Sequence, residues 1–90
     1  MVSEEEKIYF EAAKKLAELA KYQVEPMISE LESKDAEYFH IHASDLWGRT
    51  LGRAKLMCEL VAPENEQKCL VPVMEVEKEV IARLKEAFKG

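Results

Sequence analysis

Residues 36–61 read AEYFHIHASDLWGRTLGRAKLMCELV, the most informative segment for predicting the fold. Apolar side chains recur in it at spacings of three and four residues, which is the pattern of an α-helix. There is also a second apolar face on the opposite side of that helix, formed by Ile41, Gly48, Gly52 and Leu56 and flanked by Tyr38 and Leu60. Because a helix that is apolar on two sides is usually buried between neighbours, we predict a central helix shielded from water along both flanks.

The length of this predicted helix raises a second expectation. At ~1.5 Å per residue it would run roughly 39 Å. A compact domain of this size has a radius of gyration of ~12 Å and a width of about 30 Å. The helix is therefore expected either to overhang into a second copy of the chain or to break near Gly48 and Gly52, since glycine destabilises a helix by about 1 kcal/mol relative to alanine.

The segment before this stretch predicts two more helices. Ser3 and Glu6 have the spacing of a capping box, which begins a first helix. Pro26 is expected to stop or sharply kink that helix and to serve as the first residue of a short second helix that carries Met27, Ile28 and Leu31.

The segment after it predicts a connection that begins at residues 63–66 and a last helix that starts near Pro72. No convincing strand is found, because Pro72 interrupts the single candidate. The predicted fold class is therefore all-α: a single domain, residues 1–90, folded as a compact helical bundle of four main helices with a long central third helix.

The composition excludes several classes of protein. Hydrophobic residues make up 48% and charged residues 34% of the 90 positions, which indicates a globular chain. The net charge of −5 argues against nucleic acid and anionic membranes as partners. No apolar run is long enough to span a bilayer, and the acidic start has the wrong charge for a signal peptide, so the expected location is the cytoplasm.

Glu and Lys dominate the charged residues, with 16 Glu against two Asp and ten Lys against three Arg. This bias is typical of hyperthermophile proteins, although any Glu- and Lys-rich helical protein shares it. Cys58 and Cys69 are too few for a disulfide-rich secreted scaffold and lack zinc-site spacing. Two interpretations stay open: reduced, buried thiols in an ordinary cytosol, or one disulfide in the cytosol of a hyperthermophile.

One segment has a pattern known from metal sites. Glu37 and His40 form Glu-x-x-His, the spacing found in di-iron carboxylate bundles, where both side chains converge on one side of a helix. A full site needs two such motifs, so a divalent metal would require a symmetric dimer, with Glu77 as the missing carboxylate. The alternative is a set of polar groups at the surface or the edge of the core, with Glu77 at the rim or bonded to His40, His42 or an arginine.

A row of small residues marks a surface for close helix packing. Ser44, Gly48 and Gly52 are spaced by four residues, so they form a shallow groove into which another helix can press. The groove serves either packing within the chain or the seam of a dimer.

Asp45, Arg49 and Arg53 follow the same spacing along a neighbouring line, which favours an ion pair between Asp45 and Arg49. Because arginine presents a planar fork, Arg49 and Arg53 with Lys55 could grip a phosphate or carboxylate; the alternative is a solvated salt-bridge face. No nucleophile-and-base arrangement and no glycine-rich phosphate loop occur, so the sequence does not indicate an enzyme.

Joined to the capped first helix, the stretch SDLWGRTLGR at residues 44–53 makes the whole chain resemble the small, uncharacterised all-helical proteins of hyperthermophilic archaea. The resemblance is one of general appearance over the full length, and since such a family has no established activity it implies no function. From the residues we expect a cytoplasmic, non-enzymatic interaction or structural protein that forms a homodimer without a cofactor. The rival hypotheses are a metal-binding protein or metal-dependent enzyme completed in a dimer, and a binder of a small anionic ligand.

Overall fold

The computed structural model describes residues 2–89, which fold into three helical rods. The first rod is α1, Glu4–Glu32. The second, called here the middle helix, is continuous and consists of α2 at Ala36–Ser44, a π-helical segment at Asp45–Leu51 and α3 at Gly52–Glu59. The third rod is α4, Pro63–Lys89. Short turns join the rods, so rods consecutive in the chain run antiparallel, while α1 and α4 run in the same direction.

The predicted all-α class is confirmed for residues 2–89, but the bundle has three helices instead of four. Pro26 lies inside α1 and Pro72 inside α4, and neither ends its helix. Both prolines face solvent, where the carbonyl that loses its hydrogen bond can reach water. Fully buried Val24 and Met27 on either side of Pro26 hold α1 in line. Pro63 takes the first position of α4, a place that suits its missing N–H.

The predicted start of α1 is confirmed. The Ser3 hydroxyl accepts a hydrogen bond from the Glu6 N–H, and the Glu6 carboxylate accepts one from the Ser3 N–H, each at 3.1 Å. This capping box satisfies two amides that the helix itself leaves without acceptors.

Small and β-branched side chains fill most of the core. The buried apolar residues are Ala13, Ala17, Ala20, Val24, Met27, Leu46, Leu51, Ala54, Cys58, Val61, Cys69, Val73, Val76 and Val80. Because three of the buried residues of α1 are alanines, the neighbouring helices can approach it closely. The resulting bundle is long and thin, 47 × 19 × 16 Å. The middle helix fits within this length, so the expected overhang is not needed. The expected break is also absent, because a π-helical segment replaces it.

The prediction that the middle helix is shielded along both flanks is wrong for the single chain. Ile41, Leu56 and Leu60 are all about half exposed, and within residues 2–89 no fourth helix covers them. In a three-rod bundle each helix turns only its inner side to the other two, so the second apolar face of the middle helix is left in water.

The two ends of the bundle are packed differently. At one end, α3 packs against α4 and the turn between them lies beside the start of α1. At the other end, α2 packs mainly on α1, while α4 packs along α1 and against α3. The rods are therefore tied together at the α3–α4 turn and diverge toward the α1–α2 turn.

Candidate functional site

The π-helical segment changes which side chains of the middle helix point inward. Leu46 and Leu51 are five residues apart and both 0% exposed. In a regular α-helix that spacing would turn one of them away from the core, whereas a π turn brings residues at this separation to the same side. The segment also buries Thr50. Segments of this kind are frequent at functional sites. Because the inward side of this segment is packed in the core, a functional surface would lie on its outward side.

The two glycines of the middle helix have different surroundings. The Gly52 N–H donates to the Trp47 carbonyl, the five-residue hydrogen bond of the π turn, and a Cβ at position 52 would lie 2.9 Å from that oxygen. Gly52 is therefore required by the backbone of its own helix. A Cβ at Gly48 would meet nothing within 4 Å. No packing within residues 2–89 explains the glycine at position 48.

These glycines belong to a row that faces outward. The row, called here the outer row, consists of Ser44, Gly48, Gly52, Leu56 and Leu60, each four residues from the next. Leu56 is 53% and Leu60 55% exposed, and Ser44 and Gly48 are also exposed. Most of the row therefore lies at the surface, and at Gly48 the space beside it is not filled from within residues 2–89. Its role as a groove for another helix stays a prediction.

Two further apolar side chains extend this surface toward the α1–α2 turn. Tyr38 and Ile41 precede Ser44 at spacings of three residues, which places them on the same side of the helix. Both are about half exposed. A continuous apolar strip therefore runs along nearly the whole middle helix.

The arginines predicted to hold an anion lie beside this strip. Arg49 Nε is 3.6 Å from the Asp45 carboxylate, so part of its charge is already paired. Arg53 is exposed and forms no ion pair within the described part of the chain. Lys55, the third cation of that prediction, donates to Glu77 instead, so an anion site at Arg49 and Arg53 stays a prediction.

The structure does not gather the predicted metal ligands within one chain. Glu37 and His40 are exposed on α2, whereas both carboxylate oxygens of Glu77 accept hydrogen bonds from Lys55 Nζ, at 3.0 and 3.1 Å. His42 turns the other way and donates from Nδ1 to Glu30 of α1, at 2.6 Å from the nearer oxygen. Within residues 2–89 no three His, Cys, Asp or Glu side chains are placed to hold a metal ion. A site completed by a second copy stays a prediction.

The two cysteines are joined. Cys58 of α3 and Cys69 of α4 form a disulfide with Cα atoms 5.3 Å apart, and both residues are buried. Of the two interpretations left open by the sequence, the structure contains the bridge. It closes the α3–α4 turn with a covalent link at the tied end of the bundle.

A carboxylate ties the same turn to α1. Glu6 accepts a hydrogen bond from the Ala62 N–H at 2.6 Å, and the Asn65 side-chain amide donates to it at 3.3 Å. These donors, with the Ser3 N–H, lower the pKa of Glu6, and the Ala62 N–H has the largest effect. Only the capping role of Glu6 is recognisable in the sequence, because a contact across 56 residues leaves no local signal.

Comparisons of the chain with protein-family models, with curated proteins and with solved structures found no match. None of the helices in residues 2–89 has an apolar stretch long enough to cross a lipid bilayer. The exposed surface of the middle helix is therefore the candidate functional site.

Proposed function

We propose that this chain is a non-enzymatic interaction protein that associates with a second copy of itself through the outer row of the middle helix. The observation that carries the proposal is the uncovered strip itself, in which exposed leucines continue a line of small residues. Exposed apolar strips of this kind are typical of protein–protein contact surfaces.

A second copy is the favoured partner because the outer row contains its own complement. Its first part is small, Ser44 and Gly48, and its last part is large, Leu56 and Leu60. An antiparallel pair centred near Gly52 places Leu56 of each copy against Gly48 of the other, and Leu60 against Ser44. Two-fold symmetry repeats each contact, so one fitting pair supplies two.

Gly48 supports the same arrangement. Glycine destabilises a helix interior by roughly 0.5–1 kcal/mol relative to alanine. Within residues 2–89 nothing packs so close to position 48 that a side chain would be excluded. Close approach of another molecule would explain why a glycine is found there.

The required interface area fits one long face of the molecule. A standard interface buries about 800 Å² on each partner. This is about an eighth of the 6226 Å² that the chain exposes, so an interface of standard size would cover one side of the molecule.

The setting we propose is the cytoplasm of a thermophile. The support is the Glu- and Lys-rich composition together with a disulfide, since intracellular bridges are common chiefly in hyperthermophiles.

Sedimentation velocity over micromolar concentrations tests the proposal. The wild-type chain is expected to sediment as a dimer, and the double variant Leu56→Glu/Leu60→Glu as a monomer, because two carboxylates would be desolvated in each half of the interface. The matched control is Leu19→Glu on α1, where the leucine is 48% exposed but lies on another rod. The control should remain dimeric.

Filling the groove provides a second variant. In Gly48→Leu the new Cβ meets nothing within 4 Å and the position is exposed, so the monomer should keep its helical circular dichroism, while the interface loses the space for Leu56. A wild-type chain that stays monomeric throughout the concentration range would refute the proposal. So would a dimer that tolerates both the double glutamate variant and Gly48→Leu.

A further inference from the structure

A pocket of about 500 Å³ lies at the diverging end of the bundle, between the α1–α2 turn and the last turn of α4. Its apolar lining comes from Leu31, Ala36, Phe39 and Phe88. Phe88 is 79% exposed, an unusual position for an aromatic side chain that borders a hollow. The size and the mainly apolar lining are those of pockets that hold small organic molecules.

Three charged residues border the same pocket, and two of them are already engaged. Glu30 accepts the Nδ1–H of His42, and Asp35 accepts the backbone N–H of Tyr38 at 3.2 Å as the cap of α2. Lys34 has no carboxylate within ion-pair distance among residues 2–89. The polar group left to interact with a ligand is therefore an ammonium.

The backbone of Lys34 supplies an independent reason to notice it. Its φ of 61° is the one positive value of a non-glycine residue in the described chain. The Lys34 N–H donates to the Leu31 carbonyl and the Asp35 N–H to the Glu30 carbonyl, the hydrogen bonds of a helix end at which glycine is the usual residue. A lysine is held here in a conformation that disfavours a side chain, and such strain concentrates at ligand-binding positions.

We infer that this pocket binds a small amphiphilic carboxylate, an aliphatic or aromatic monocarboxylic acid. Its apolar body lies between Phe39 and Phe88, and its carboxylate accepts hydrogen bonds from the Lys34 ammonium. A ligand with a positive head group finds no free carboxylate, because Glu30 and Asp35 keep their present partners. None of the residues that line the pocket belongs to the outer row, so the inference does not rest on the proposed self-association.

A nuclear magnetic resonance titration at neutral pH with octanoate, octanamide and octylammonium tests the inference. Octanoate is expected to bind saturably at millimolar concentration and to shift the amides of residues 31–39 and 88. Octanamide, with the same chain and no charge, should bind roughly fivefold more weakly, as suits the loss of a partly exposed ion pair.

Lys34→Asn is the decisive variant, because asparagine tolerates a positive φ but has no charge. It should lower the affinity for octanoate to that for octanamide, while Lys15→Asn, which removes one charge from the middle of α1, should leave it unchanged. The inference is wrong if octanoate gives no saturable shifts around the pocket. It is equally wrong if octylammonium binds as tightly as octanoate, or if Lys34→Asn binds octanoate like the wild type.

Discussion

The backbone N–H of Gly52 donates to the carbonyl of Trp47, five residues earlier, and leaves no room for a Cβ at position 52. This one contact joins α2 and α3 into a continuous helix while shifting the register between them. It buries Leu46 and Leu51 together and orients the small end and the leucine end of the outer row to the same outward side.

Gly52→Ala should destabilise the protein, although helix propensity alone predicts a gain. A Cβ placed 2.9 Å from the Trp47 oxygen forces the π turn to open, so we expect the free energy of unfolding to fall by roughly 1–2 kcal/mol. Urea denaturation followed by circular dichroism measures it. An increase in stability would show that the turn converts to α-helix without loss.

Gly48→Ala should have the opposite sign in the same assay. The new methyl group meets nothing within 4 Å, so the helix gains the propensity difference of roughly 0.5–1 kcal/mol. Because self-association would add its own free energy, the measurement is made in the Leu56→Glu/Leu60→Glu background, where the chain is expected to be monomeric. A loss of stability there would mean that position 48 is packed.

Stability should decline in acid partly through Glu6. Donation by the Ala62 N–H lowers the pKa of this carboxyl below its ordinary value of 4.5, so its contribution is complete above that pH and is lost as the pH falls through the lower, folded value. Glu6→Gln should therefore flatten the fall of the melting temperature between neutral and acidic pH. Glu5→Gln, the exposed neighbour, is the control and should keep the wild-type profile.

Reduction of the Cys58–Cys69 bridge should lower the free energy of unfolding by about 2–3 kcal/mol, the loss of loop-closure entropy for a loop of this size. The two cysteines are the only ones in the sequence, so a phosphine reductant acts nowhere else. A Cys58→Ala/Cys69→Ala variant should be insensitive to the reductant. Equal unfolding curves of the wild type with and without reductant would contradict the expectation.

Lys34→Gly should stabilise the chain, in contrast to most substitutions at a binding position. Glycine adopts the φ of 61° without strain, and the gain is expected to be about 1 kcal/mol. Thermal unfolding measures it, with Lys15→Gly on α1 as a control that should lose roughly the same amount. A destabilised Lys34→Gly variant would show that the lysine side chain packs in the turn.

Local signals in the sequence were sufficient where neighbouring residues decide the structure. The capping box of Ser3 and Glu6 was recognisable from the spacing of the two residues. Pro26 misled the helix count, and Pro72 misled the start of the last helix, which begins at Pro63. Whether a helix continues through a proline depends on how well its flanks are buried, which only the assembled bundle determines.

A helical wheel could not predict the positions that depend on the π turn or on partners distant in the sequence. A period of 3.6 residues assigns Leu51 away from the main apolar face, and it is the five-residue turn that returns it to the core. Likewise, the ion pair between Lys55 and Glu77 joins two different helices, and the pocket around Lys34 includes Phe88 from the far end of the chain. Neither contact can be read from local spacing.

Because the two ends of the bundle are held together unequally, we expect it to open at the α1–α2 turn before the α3–α4 turn. The covalent bridge and the Glu6 carboxylate hold one end, whereas α2 at the other end leans mainly on α1. Amide hydrogen exchange should accordingly be fastest near residues 34–40 and slowest around Cys58, because the bundle opens locally at the α1–α2 turn and stays closed at the α3–α4 turn. Local opening of this end, at a small cost in free energy, would let the proposed carboxylate ligand enter between Phe39 and Phe88. The other half of the molecule would keep its native packing.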